Sequence, residues 1–120
     1  MTHCAAIYHM TTRNAWESTP NDRPFVATTL ASEGFVHFTA EPERLLQVAN
    51  RFYCSEPGDW VILTVDPARL TAPLRWEPAD GHIFPHVYGP VDRAAILDIT
   101  PFPRRNAEFV LPQALGERRS

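Results

Sequence analysis

The chain has 120 residues with 11 basic and 14 acidic side chains, a net charge of −3; this is the length of one domain, and it lacks the basic excess of a general nucleic-acid binder. All 11 basic residues are Arg, so the absence of any lysine amine excludes Schiff-base chemistry, a P-loop lysine and a pyridoxal-phosphate enzyme. A hydrophobic fraction of 44% supplies a core, and twelve Pro against five Gly point to short elements joined by rigid turns.

Residues 5–10 read as an opening strand, after which Thr11 or Thr12 offers an N-cap for a short helix through Arg13 to Ser18 with Trp16 facing inward. Pro20 ends that helix, because proline fixes φ and lacks an N–H. Phe25–Ala27 reads as a short strand and Leu30–Gly34 as a tight connection, with Gly34 free to take positive φ. Phe35–Phe38 reads as a strand. The segment from Glu41 to Tyr53 is the best helix: Pro42 suits its first turn, and Leu45, Val48, Ala49 and Phe52 share one apolar face.

Trp60–Val65 is a nearly continuous apolar run, the pattern of a central strand. Asp66 caps a short helical turn at Pro67–Arg69. Leu74–Glu77 alternates apolar and charged residues, as a half-buried strand does. Pro78–Gly81 reads as a turn, and Ile83–Tyr88, interrupted by Pro85, as an irregular or edge strand. Ala95–Thr100 is a further strand, 106–111 adds an edge strand, and 113–120 reads as a frayed tail. About seven strands with one main helix and one short helix give a single α+β domain over 1–112.

Cys4 and Cys54 fit no metal or redox spacing, and reduced thiols are expected. The start of the chain has no signal-peptide pattern and no run is long enough to span a membrane, so a soluble, cytoplasmic protein is expected.

Three of the five histidines, His9, His37 and His86, sit in strands among apolar neighbours. A polar ring in such a place costs stability unless it is satisfied, so each is either hydrogen-bonded in the core or turned to a pocket. None of the three lies two or four residues from another, so the spacing supports no metal site. His9 and His37 are each followed two residues later by a threonine, Thr11 and Thr39. Arg75, Trp76 and Glu77 place an aromatic surface beside both charge signs, and Tyr88 follows His86 by two. An aromatic wall with imidazole, phenol and hydroxyl groups suits a nucleotide-like ligand.

The blocks Ile-Tyr-His-Met-Thr (7–11), Ala-Ser-Glu-Gly-Phe-Val-His-Phe-Thr (31–39), Leu-Arg-Trp-Glu (74–77) and Phe-Pro-His-Val-Tyr-Gly-Pro (84–90) resemble the bacterial domain-of-unknown-function family 952. That family looks like a small relative of the ADP-ribosyltransferase fold, a split pair of antiparallel sheets around a cleft that holds NAD in active members. The resemblance implies that Tyr8-His9-Met10-Thr11 stands where a histidine binds a ribose hydroxyl, with Met10 in place of the usual glycine. It implies His37 or Thr39 for the second signature position. At the third, a late carboxylate, this chain carries His86, and Glu77 is the nearest acid.

The expected site therefore has His37, His86 and Glu77 as catalytic residues, the imidazoles as acid or base and Glu77 stabilising positive charge on a ribosyl carbon. Tyr8, His9, Thr11, Thr39, Arg75, Trp76 and Tyr88 bind the ligand. NAD, ADP-ribose or another nucleotide-like molecule is the expected ligand. Arg13 and Arg75 are the candidates for a phosphate. A non-catalytic binding module and a metal-dependent hydrolase built on the three histidines are the alternatives.

Overall fold

The computed structural model describes residues 6–116; Cys4 and the last four residues of the expected tail lie outside the described residues. In chain order the elements are β1 (Ile7–Thr12), α1 (Arg13–Ser18), α2 (Thr28–Glu33), β2 (Val36–His37), α3 (Pro42–Phe52), β3 (Trp60–Val65) and β4 (Leu74–Ala79). There follow β5 (His82–Val87), β6 (Ile96–Phe102), β7 (Arg104–Arg105), β8 (Glu108–Phe109) and α4 (Gln113–Gly116). Pro67–Arg69 and Arg93–Ala95 add single 3-10 turns. The result is a mixed α+β domain with antiparallel sheets, as the strand-rich sequence implies. None of the described helices is long and apolar enough to cross a membrane.

One sheet has the order β1–β3–β6 and the other β2–β5–β4. β3 is central in the first, and its apolar run, interrupted only by Thr64, follows from having both faces covered. Side chains alternate, so Val61, Leu63 and Val65 join Ile7, Phe25, Val36, Phe38 and Val87 in one core. Ile62 points the other way and packs with Tyr8, Met10, Leu45, Ala49, Phe102 and Phe109 in a second core. The second core is roofed by α3, whose Pro42 opens the helix and whose Arg51 complements the dipole in its last turn. The first core is closed by the second sheet. Fully burying each of the larger side chains contributes about 1.5–3 kcal/mol.

Several boundaries differ from the sequence expectation for identifiable reasons. Of the two threonines offered as the cap of α1, Thr12 takes the role, accepting from the Ala15 N–H at 3.1 Å. The segment read as a tight connection is the six-residue helix α2; Gly34, at φ 86°, is its left-handed C-cap, a role that looks the same in sequence as a turn glycine. Phe25–Ala27 forms no strand, only a bridge in which Phe25 and Val91 exchange backbone bonds of 2.8 Å each way. The tail strand is a hairpin, β7–β8, with two residues per strand. Beyond it, Leu115 of α4 is buried in the second core.

The expected edge strand is in fact the centre of its sheet. β5 pairs β4 on one side and β2 on the other despite Pro85. The Pro85 carbonyl accepts from the Phe38 N–H at 3.0 Å, but proline cannot return the bond. Regular pairing of β2 therefore stops at His37. Two residues on, Thr39 exchanges 2.8 Å bonds with Tyr8 of β1 and so ties the two sheets together.

Candidate functional site

The Phe38–Pro85 bond makes His37 opposite His86 a non-hydrogen-bonded pair, the position at which facing side chains lie closest. Their rings meet edge to face with centroids 5.2 Å apart. Phe35, two residues before His37, stacks on His86 at 4.3 Å. Arg75 lies opposite His86 on β4 and Glu77 opposite Phe84, so both share the face of His86.

His37 and His86 are each held by a carboxylate. His86 Nδ1 donates to Glu77 Oε1 at 2.8 Å, and the Tyr88 hydroxyl donates to the same oxygen at 2.6 Å. Those two donors, Tyr88 first and His86 second, hold the Glu77 carboxyl below its ordinary range. The same bond pushes the Tyr88 phenol up, so it stays a donor. Donation from Nδ1 leaves His86 Nε2 as the nitrogen open to further bonding. On the other side, His37 Nε2 donates to Glu33 Oε1 at 2.7 Å, leaving its Nδ1.

His9 is buried beside Phe38 and Phe25, with ring centroids at 5.3 and 6.0 Å. Its Nδ1 donates to the His37 carbonyl at 2.6 Å. Burial lowers its pKa from the ordinary 6.5 to about 4, outweighing the opposing effect of that hydrogen bond. The ring is therefore neutral near pH 7, with Nε2 as a hydrogen-bond acceptor.

All three histidines line one cavity of about 480 Å³ between the sheets. Tyr8, Thr11 and Thr39 also line it, as do Leu45, Val48 and Phe52 of α3, so the helix face read as apolar is partly the cavity wall. Thr39 Oγ1 makes only a long contact, 3.5 Å, with the Tyr8 carbonyl.

The other expected site residues fall elsewhere. Glu77 and Tyr88 stand behind His86 rather than on the cavity wall, so Glu77 faces the imidazole and not the cleft. Arg75 lies over the Tyr88 ring at 5.4 Å. Trp76, expected in the cleft, does not line the cavity: it alternates with Glu77 along β4, points to the opposite face and is 53% exposed. Arg13 is 4.0 Å from Glu17 on the surface of α1 and does not line the cavity. Among the described residues no three His, Cys, Asp or Glu side chains are grouped to hold a metal ion. Glu33 and Phe35 were missed. The signal for Glu33 was its place just before Gly34, whose left-handed turn sends the helix end back onto the following strand.

Comparison with other proteins agrees on the fold. The crystal structure of CC0527 from Caulobacter crescentus superposes with a TM-score of 0.79 at 23% identity, covering 92% of this chain and 98% of that one. The solution NMR structure of CC0527 gives 0.70 at 22% identity, covering 88% and 90%. No curated protein matches the sequence. The family model described as protein of unknown function (DUF952) matches residues 10–99, three-quarters of the chain, and the protein belongs to that family.

Proposed function

We propose that this protein binds a nucleotide-like small molecule in the cavity between its sheets, with imidazole acid–base chemistry available for transfer or hydrolysis at the ribosyl part. The observation that carries the reading is the convergence of His9, His37 and His86 on one cavity, two of them held by carboxylates. The ADP-ribosyltransferase-like architecture is part of the same proposal, supported by the two antiparallel sheets flanking the cleft and by the order of the sequence blocks.

In this reading neutral His9 accepts at Nε2 a hydrogen bond donated by a ribose hydroxyl. His86, oriented through Nδ1 by Glu77, works as a base at Nε2, the arrangement in which a carboxylate fixes a histidine's tautomer and direction. His37 is the complementary acid or base. Glu77 acts on His86 rather than on a ribosyl carbon, because its Oε1 already accepts two hydrogen bonds.

The test is a thermal-shift series with adenosine, NAD, ADP-ribose and RNA ends bearing a 2′-phosphate. At least one is expected to raise the Tm of the wild type and not of His9→Ala. No shift with any of them, or an identical response of the variant, refutes the assignment. A binding module without chemistry is the second reading. It is favoured by the finding that, among the described residues, no Ser, Thr or Cys side chain is hydrogen-bonded to His37 or His86 as a nucleophile would be. It predicts the same shift with no product on prolonged incubation.

A further inference from the structure

The electrostatics of the cavity narrow its ligand. Glu33 lines it beside His37, and Asp80 lines it from the β4–β5 turn. A third carboxylate, Glu77, stands directly behind His86. Opposing positive charge is scarce on the walls. Among the described residues no arginine lines the cavity, and His9 is kept neutral by burial. Of the neighbouring arginines, Arg51 pairs with Asp80 at 2.5 Å and offsets its charge, Arg44 bonds Gln47 and His82 at 3.0 Å each, and Arg75 lies over the Tyr88 ring, which leaves Glu33 as the wall carboxylate held by an imidazole rather than an arginine. The rest of the wall includes Phe52, Tyr53, Trp60 and Phe84. Aromatic faces attract cations, and a carboxylate on the wall repels anions.

We infer that the cavity takes a phosphate-free ribosylated ring, a neutral or singly cationic nucleoside, and discriminates against its phosphorylated forms. This rests on the nucleotide-like reading above and specifies its ligand class. The two expected phosphate anchors, Arg13 and Arg75, do not line the cavity, which agrees with a ligand that carries no phosphate into it. His9 Nε2 and the Thr11 hydroxyl remain suited to ribose hydroxyls.

Isothermal titration of the full chain at pH 7.5 and low salt with adenosine, cationic 1-methyladenosine, AMP and ADP-ribose tests it. Adenosine binds, 1-methyladenosine binds at least as tightly, and AMP binds weaker by on the order of tenfold or more. Glu33→Gln and added salt each narrow the gap between adenosine and AMP. AMP or ADP-ribose binding as tightly as adenosine overturns the inference while leaving the nucleotide-like reading in place. A gap that neither Glu33→Gln nor salt alters also overturns it. If none of the four binds, the nucleotide-like reading fails and this inference with it.

Discussion

Acidifying the solution should destabilise the protein through His9, by an amount the structure sets. The ring's pKa falls from 6.5 in an unfolded chain to about 4 in the buried site. Above pH 6.5 the ring is neutral in both states and adds nothing to the pH dependence. Between the two values the unfolded chain holds a proton that the folded one does not, so stability falls as pH falls. Below about pH 4 the folded state takes up the proton too, and the loss levels off at about 3 kcal/mol. At intermediate points the same linkage gives about 1.4 kcal/mol at pH 5.5 and about 2.5 kcal/mol at pH 4.5. Urea unfolding followed by tryptophan fluorescence, on the wild type and on His9→Gln, measures this share separately from every other titrating group. The variant loses the bond to the His37 carbonyl, worth about 1–2 kcal/mol, so the wild type is the more stable at pH 7.5. The difference should move by about 2.5 kcal/mol against the wild type on going to pH 4.5, enough to reverse it and leave the variant the more stable. A lead that stays constant across the range would show that His9 titrates alike in both states and would refute the burial argument. An NMR titration of the His9 ring in the wild type gives the same answer without relying on the variant's fold.

Two further substitutions test the backbone. The β7–β8 turn holds Asn106 at φ 54° and Ala107 at φ 70°, the two left-handed positions of a type I′ turn. Ala107→Gly should stabilise by about 1 kcal/mol, read as a higher urea midpoint at unchanged slope; an unchanged or lower midpoint counts against the strain. A methyl on Gly89 would lie 2.7 Å from the Ala72 Cβ, an atom fixed to the backbone. Gly89→Ala should cost about 1–3 kcal/mol, and adding Ala72→Gly should recover most of it; additive losses in the double variant would rule out the contact.

How much of this was legible in the sequence depends on which interaction decided each element. β1, β3 and α3 were readable because a single periodicity governs them, and Thr12, Asp66 and Pro42 mark ends by local chemistry. β5 was misplaced because a proline usually marks an edge. Here its missing N–H falls where β2 stops, and only the pairing partner reveals that. The three histidines were recognisable as polar rings in apolar strands. Trp76 and Glu77 were assigned to one cleft although adjacent strand residues point to opposite faces. Glu33 stayed hidden because its contact with His37 depends on a helix, α2, whose weak local signal resembles a turn.

The two sheets are interleaved along the chain: β1, β3 and β6 belong to one, β2, β4 and β5 to the other. Only β4–β5 and β7–β8 are hairpins of neighbouring strands, while β1 must find a partner some fifty residues away, as in Ile7 opposite Val65. Neither β1 nor β2 has its ladder partner in the first half of the chain, since β1 pairs β3 and β2 pairs β5. Pairings of such long range delay assembly, because chain entropy is lost before contacts compensate it. Of the three imidazoles, His37 and His86 reach their carboxylates locally, through the end of α2 and the β4–β5 hairpin, while His9 meets the His37 carbonyl only when the long-range closures are complete. The cavity is thus a late product of folding, and a nascent or truncated chain would carry the Glu77–His86 pair without the pocket it serves.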